Sequence, residues 1–184
     1  MSTISTNFAA NVVLTPMAPG RDAEFADMLD EFRAAGETQV YEGNFAVAWD
    51  GYGPFYDLIS KMKAGGYPKP EFVPMDSYFI ETDGRILGEI FIRHRLTAAL
   101  EQYGGHIGYK VRPSCRNRGV ATLALRLALQ KLAALGVPRA LVTCNTANLA
   151  SARVIEKCGA VRVEDSRQQD RVTRRYWLET QQSR

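Results

Sequence analysis

One segment restricts the fold more than any other. Residues 119–135 carry Val120, Leu123, Ala124, Leu127, Ala128, Leu132 and Leu135 at helical spacing, leaving only Arg126, Gln130 and Lys131 clearly polar. Gly136 supplies the stop and Pro138 follows it. A helix apolar over most of its circumference needs apolar surface on several sides, as it finds when laid across a sheet. Its flanks provide the sheet. Residues 105–112 read as a strand ended by Pro113, and residues 140–144 as a second, apolar strand.

The rest of the chain extends that unit. Residues 1–11 are polar and read as loose. Val12, Val13 and Leu14 form a short strand before Pro16 and the Pro19-Gly20 turn. Phe25, Met28, Leu29 and Phe32 mark a helix over 22–35, stopped by Gly36. Residues 37–74 form a long connection holding one short helix over 55–62, and connections of that length tend to be functional. Tyr78, Phe79 and Ile80 form a strand, Asp83-Gly84 a tight turn, and residues 85–95 a second strand. A helix over 148–158 stopped by Gly159 follows the central unit, and then strands over 161–163 and 171–178. The pattern predicts an α/β (mixed α+β) fold: a mixed sheet with helices on its faces.

Composition bounds the function. The 184 residues suffice for one domain, 1–184, with a full core. Twenty-three basic against 20 acidic residues give a net charge of +3, too balanced for a nucleic-acid partner, although a local anion site is compatible. Cys115, Cys144 and Cys158 are odd in number and widely spaced, so reduced thiols are expected and no metal site is read. There is no apolar run of membrane-spanning length, and the opening residues lack the features of a secretory signal. The expectation is a cytoplasmic protein with no membrane partner, as a monomer or a homodimer.

The chemistry concentrates between the central strand and helix. Arg116, Asn117, Arg118, Gly119, Val120, Ala121 and Thr122 lead from one directly into the other. A helix amino terminus presents unpaired N–H groups and partial positive charge. Gly119 allows close approach to the backbone, and Arg116 and Arg118 offer forked donors for phosphate oxygens. Together they form a candidate pyrophosphate cradle. A plain turn with two solvated arginines is the alternative. Neither a Gly-Lys-Ser/Thr nor a G-x-G-x-x-G pattern is present.

Read with its flanks, Arg116-x-x-Gly119-x-Ala121 resembles the Q/R-x-x-G-x-G/A signature of the GCN5-related N-acetyltransferase (GNAT) superfamily. Tyr109, Lys110, Val111 and Pro113 resemble the strand leading into it. Ala140 to Cys144, Asn145 to Asn148 and Ser151 to Gly159 resemble that family's next strand and helix. The resemblance implies a splayed, mixed, mostly antiparallel GNAT-like sheet with helices on both faces, and with acetyl-CoA, as cosubstrate, wedged between the fourth and fifth strands. Its arm would pair with backbone near Val111, its phosphates would sit on the N–H groups of Arg118, Gly119, Val120, Ala121 and Thr122, and Asn148 would bond the arm, cap its own helix, or both. The implied activity is direct acetyl transfer to a small-molecule or peptide amine. A non-catalytic acyl-CoA-binding sensor is the rival.

Two departures bear on catalysis. Many members carry a tyrosine, as acid to the leaving thiolate, where this chain has Ile155. Ser151, one turn earlier, resembles the serine of ribosomal-protein alanine acetyltransferases and is the candidate; the alternative is a first-turn serine bonding to Asn148. The family's strand glutamate, the usual base, is also missing. The chain's two histidines, His94 and His106, flank a loop over 97–104. If that hairpin is symmetric about Leu100, they face each other on one sheet face and can accept the amine's proton. A structural histidine pair is the alternative. Glu37, Tyr41, Glu42, Asp50, Tyr52, Tyr56 and Asp57 would shape an acceptor pocket, or form a solvated loop with packed aromatics.

Overall fold

The computed structural model describes residues 11–66, 72–168 and 171–181. The loose start over 1–10 and residues 67–71 of the long connection lie outside them. Strands β1 (Val13–Pro16), β2 (Met75–Thr82), β3 (Arg85–Arg93), β4 (Ile107–Val111), β5 (Arg139–Asn145), β6 (Val161–Gln168) and β7 (Arg171–Glu179) form one seven-stranded sheet in the order β1-β2-β3-β4-β5-β7-β6. Every neighbouring pair is antiparallel except β4 and β5. Those two are joined through α4 (Val120–Ala134), the helix that dominates the sequence pattern.

Strand alternation supplies an apolar set to each face. Ile90, Ile92 and Ile107 point to one side, where Ala124, Leu125, Ala128, Leu129 and Leu132 of α4 and Ile155 of α5 (Leu149–Lys157) cover them. Ala124 and Ala128 are fully buried, and their small side chains let the helix lie close to the sheet. Each buried leucine contributes roughly 1.5–3 kcal/mol to that contact. Ile86 and Phe91 point the other way, under α1 (Asp22–Ala34) and α2 (Tyr52–Lys63). There Phe25 stacks on Phe55 with ring centroids 5.3 Å apart.

The structure narrows the apolar face expected for α4. Leu125 and Leu129 are inside, whereas Leu135 is 47% exposed and Leu127 lines a surface groove with Val12, Val13 and Leu14. The loop between β3 and β4 contains a further short helix, α3 (Ala98–Gln102), capped by Thr97. β6 runs to Gln168 rather than Val163 because it is an edge strand paired only with β7, and an edge tolerates polar residues on both sides.

Candidate active site

β4 and β5 meet at a single register pair, Ile107 with Val142. Below it the strands are locked together. The His106 N–H donates to the Leu141 carbonyl at 2.7 Å, the Leu141 N–H donates to His106 Nδ1 at 3.0 Å, and the Gly104 N–H donates to Thr143 Oγ1 at 3.0 Å. Gly105 is required here: its φ is +60°, and a Cβ would lie 2.3 Å from the Leu141 carbonyl oxygen. Past Ile107 the two strands part, and a wedge opens between Gly108–Val111 and the second half of β5.

α4 begins at the end of that wedge. Gly119 takes a left-handed φ of +79°, no side chain caps the helix, and the first helical bond is Leu123 N–H to the Gly119 carbonyl. The N–H groups of Val120, Ala121 and Thr122 therefore have no helical partner. A Cβ on Gly119 would meet nothing within 4 Å, so the approach to this amide cluster is open. Arg118 is exposed beside it.

The preceding turn is held from behind by groups that the sequence pattern did not reveal. Arg112 is buried, bonded to Asp27 and Glu31 of α1 at 2.6 Å each and to the Ile86 carbonyl at 3.1 Å. Glu31 also accepts from the Ser114 N–H and hydroxyl. Arg116 donates to both Glu37 oxygens, at 2.5 and 2.6 Å, and its Nε to the Val111 carbonyl at 3.0 Å. The guanidinium holds the Glu37 carboxyl below its ordinary value. Arg116 thus braces the turn, and Glu37, read from sequence as an acceptor-pocket acid, is its brace partner. Tyr41 and Tyr52 of the same region are buried in the aromatic core, with the Tyr52 hydroxyl donating to the Ala18 carbonyl at 2.8 Å.

Asn148 caps α5, its Oδ1 accepting from the Ser151 N–H at 3.0 Å. Ser151 also meets a partner absent from the sequence reading: its Oγ lies 2.9 Å from the Tyr109 hydroxyl, which bridges from β4 across the wedge. Burial pushes the Tyr109 phenol above its ordinary value, so it stays protonated. Ile155 is fully buried. Cys115 and Cys144 are buried and Cys158 half-buried, all free thiols.

The histidines are not neighbours. Ile92 faces Ile107, so Arg93 faces His106, one residue out of step with symmetry about Leu100. The short helix α3 causes the shift, and a one-residue slip moves a side chain to the opposite face. His94, half-exposed just past the end of β3, instead bonds Asp76 through Nε2 at 2.9 Å, and Asp76 also pairs with Lys63. His106 is 5% exposed, and its Nδ1 is occupied as an acceptor, which fixes the neutral form with the proton on Nε2. Burial first, and then the neighbouring Arg93, push its pKa down to about 4.

On the face opposite α4, Lys110 pairs with the fully buried Glu89, and its ammonium lies 4.0 Å from the Tyr41 ring centroid and 4.7 Å from that of Phe91. Burial pulls the Lys110 pKa down against the opposing pull of Glu89. No group of three or more His, Cys, Asp or Glu among the described residues is arranged to hold a metal ion, and no helix among them is long and apolar enough to cross a membrane.

A splayed parallel pair inside an otherwise antiparallel sheet, opening onto an uncapped helix start, defines a class. The family model for an acetyltransferase (GNAT) domain matches residues 13–161, and the chain belongs to that family. Among solved structures it is similar to Mycobacterium smegmatis RimJ in complex with CoA-disulfide, at 21% identity over 91% of this chain and 81% of that one, TM-score 0.65. It is also similar to the microcin C7 self-immunity acetyltransferase MccE in complex with acetyl-CoA and AMP, at 15% identity over 93% of each chain, TM-score 0.65. A third is RimL, a ribosomal L7/L12 α-N-protein acetyltransferase in complex with coenzyme A, at 12% identity over 93% and 95%, TM-score 0.68. At these identities the likeness speaks for the fold. No curated protein matches the sequence significantly.

Proposed function

We propose that this protein transfers an acetyl group from acetyl-CoA to an amine by direct attack, with both reactants bound together. The observation that carries the reading is the open amide cluster of Gly119, Val120, Ala121 and Thr122 at the end of a wedge whose strands share one register pair. The residues fit the cosubstrate. Unpaired N–H groups and the helix dipole suit a pyrophosphate, Gly119 leaves room for it, and the edge of β4 from Gly108 to Val111 has backbone for an extended arm. Arg118 adds charge at the mouth, and Asn148 stands at the start of α5.

Acetyl-CoA supplies an activated acetyl group and a thiolate leaving group. The chain positions the reactants and supports the charge that develops. A backbone N–H of β4 near Val111 stabilises the carbonyl oxygen as it gains charge. Ser151 donates to the leaving sulfur, and Tyr109 donates to Ser151. A buried phenol is too weak an acid to protonate a thiolate of pKa near 8.5, so the pair acts through aligned hydrogen bonds, polarising one another, rather than by full proton release. In this reading His106 locks the base of the wedge, and the amine's proton leaves by solvent.

The test is Gly119→Glu beside Gly119→Ala. Both meet open space and share the cost of a left-handed residue, about 1–2 kcal/mol, which cancels from binding because it is present with and without ligand. The glutamate alone sets a charge against the pyrophosphate. Calorimetry should show acetyl-CoA affinity falling by more than about 2 kcal/mol for Glu and far less for Ala. Unchanged affinity in a folded Glu variant would place the cosubstrate elsewhere. Amine-dependent release of free thiol separates an enzyme from a non-catalytic sensor.

A further inference from the structure

A cavity of about 340 Å³ lies on the face opposite α4, at the base of the wedge. Phe45, Met62 and Phe72 form its apolar wall, and Arg93, Tyr103 and Gln168 bring polar groups to it. Three features of this lining point to one kind of occupant.

The first is the state of Arg93. Its Nη1 donates to the carbonyls of Gly104 and Gly105, at 3.3 and 3.1 Å. Its Nε and Nη2 make no hydrogen bond and its guanidinium no ion pair among the described residues. Burial pulls its pKa down to about 10, so it remains charged at neutral pH. Arg93 is half-buried, and a partly desolvated cation without a counter-ion is unfavourable; a bound anion relieves the cost. Secondly, the Tyr103 hydroxyl is buried with no hydrogen-bond partner among the described residues. Tyr103 lines the same cavity as Arg93, with its unpartnered hydroxyl lying beneath that lining. Thirdly, no Asp or Glu is among the described residues that line it. Among those described residues the charged group is a guanidinium, which suits an anion.

The position ties the cavity to the chemistry. Arg93 Nη1 lies 4.0 Å from where a Cβ on Gly108 would sit, and Gly108 is the first β4 residue past the last register pair with β5. Side chains at 106, 108 and 110 share this face; glycine at 108 leaves the guanidinium beside the gap through which the two reactants would meet. The volume suits a small molecule of amino-acid or dipeptide size.

We propose that the acceptor is a small amine bearing a carboxylate, with the carboxylate held by the free edge of Arg93 and the Tyr103 hydroxyl, and with an apolar side group against Phe45, Met62 and Phe72. This rests on the acetyltransferase reading above. It narrows the acceptor from any amine to an anionic one, because recognition comes from a planar donor fork that matches a carboxylate in two places.

The experiment is initial-rate thiol release with matched acceptors: aromatic and aliphatic amino acids, their amides, their decarboxylated amines, and phosphoethanolamine. The acids should be preferred over amides and decarboxylated amines by at least about 10-fold in kcat/KM, the scale of a charged hydrogen-bonded pair. Arg93→Gln should raise the KM of the acids by a similar factor and that of the amides far less, so that the acid-over-amide preference is lost, and Arg93→Lys should restore part of it. A second readout needs no turnover. The N-acetylated amino acid should raise the melting temperature of wild type and of Arg93→Lys, and not of Arg93→Gln. Tyr103→Phe, which keeps the ring, should weaken the same discrimination if Arg93→Gln fails to fold. Equal use of acids and amides, or a preference for decarboxylated amines or phosphoethanolamine, would overturn the proposal while leaving the acetyltransferase reading intact. Absence of thiol release with every amine, in a protein that binds acetyl-CoA, would overturn both.

Discussion

His106 gives the sharpest test of how the site is built. In the folded protein its pKa is pushed down to about 4, against an ordinary value of 6.5 in the unfolded chain. The folded state therefore resists taking up the proton. The stability this represents is fully present above about pH 6.5 and is lost as the pH falls from there through about 4. Inside that window the slope approaches 1.4 kcal/mol per pH unit, which amounts to about 2 kcal/mol by pH 5 and about 3 kcal/mol in all. That is a large share of the 5–15 kcal/mol that holds typical domains together. The structural cause is specific: a proton on Nδ1 would remove the acceptor of the Leu141 N–H and set a cation beside Arg93. Urea titrations of wild type and His106→Gln at pH 7.5 and at pH 5 measure it. Carboxylates titrate in both proteins, so the difference between the two pH shifts isolates His106. With a urea slope of about 2 kcal/mol/M, wild type should lose about 1 M more in midpoint than the variant. His94→Gln controls for removal of a half-exposed histidine. Equal pH shifts in wild type and His106→Gln would refute the reasoning. So would a kcat/KM profile with an acid limb near 6.5 that disappears with His106, because that is the signature of a base rather than of a buried acceptor.

Three further outcomes are expected. Ser151→Ala should lower kcat at least 10-fold with little change in acetyl-CoA KM, Tyr109→Phe less, and the double variant should be no worse than Ser151→Ala, since the phenol acts through the serine; additive losses in steady-state kinetics would separate the two. Glu37→Gln should weaken acetyl-CoA binding several-fold in calorimetry by loosening the Arg116 brace, whereas tighter binding would mean that Arg116 is a phosphate ligand held in reserve. Gly88→Ala should destabilise by about 3 kcal/mol or prevent folding, because its Cβ would sit 2.1 Å from the Lys110 carbonyl, and an unchanged denaturant midpoint would contradict the close approach of β3 to β4.

The elements and their order were legible because they rest on local signals. Alternation marked the inner strands, the apolar helix marked the crossover, and Gly36, Gly136 and Gly159 marked helix ends. The turn proposed to hold the cosubstrate stands out for the same reason, being one contiguous run from Arg116 to Thr122. What escaped was long-range. Arg93 and His106 come together through a register that depends on whether the loop over 97–104 coils into α3, and no alternation pattern contains that information. Tyr109 and Ser151 lie 42 residues apart and are brought together only by the crossover. Glu37 carried the correct residue type for an amine pocket, but its actual partner, Arg116, is 79 residues away. β6 was cut short because an edge strand need not alternate.

The sparse join between β4 and β5 also bears on how the chain acquires its structure. β1 to β4 pair with chain neighbours, and together with α1 and α2 they can form before the C-terminal third exists. Such an intermediate would expose the row of Ile80, Leu87, Ile90, Ile92 and Ile107 until α4 arrived to cover it. β5, β6 and β7 likewise pair among themselves. An assembly in that order would turn on the docking of α4 and would close the His106–Leu141 bonds after it. A growing chain is most exposed to aggregation in the interval between the emergence of Val111 and that of Ala134.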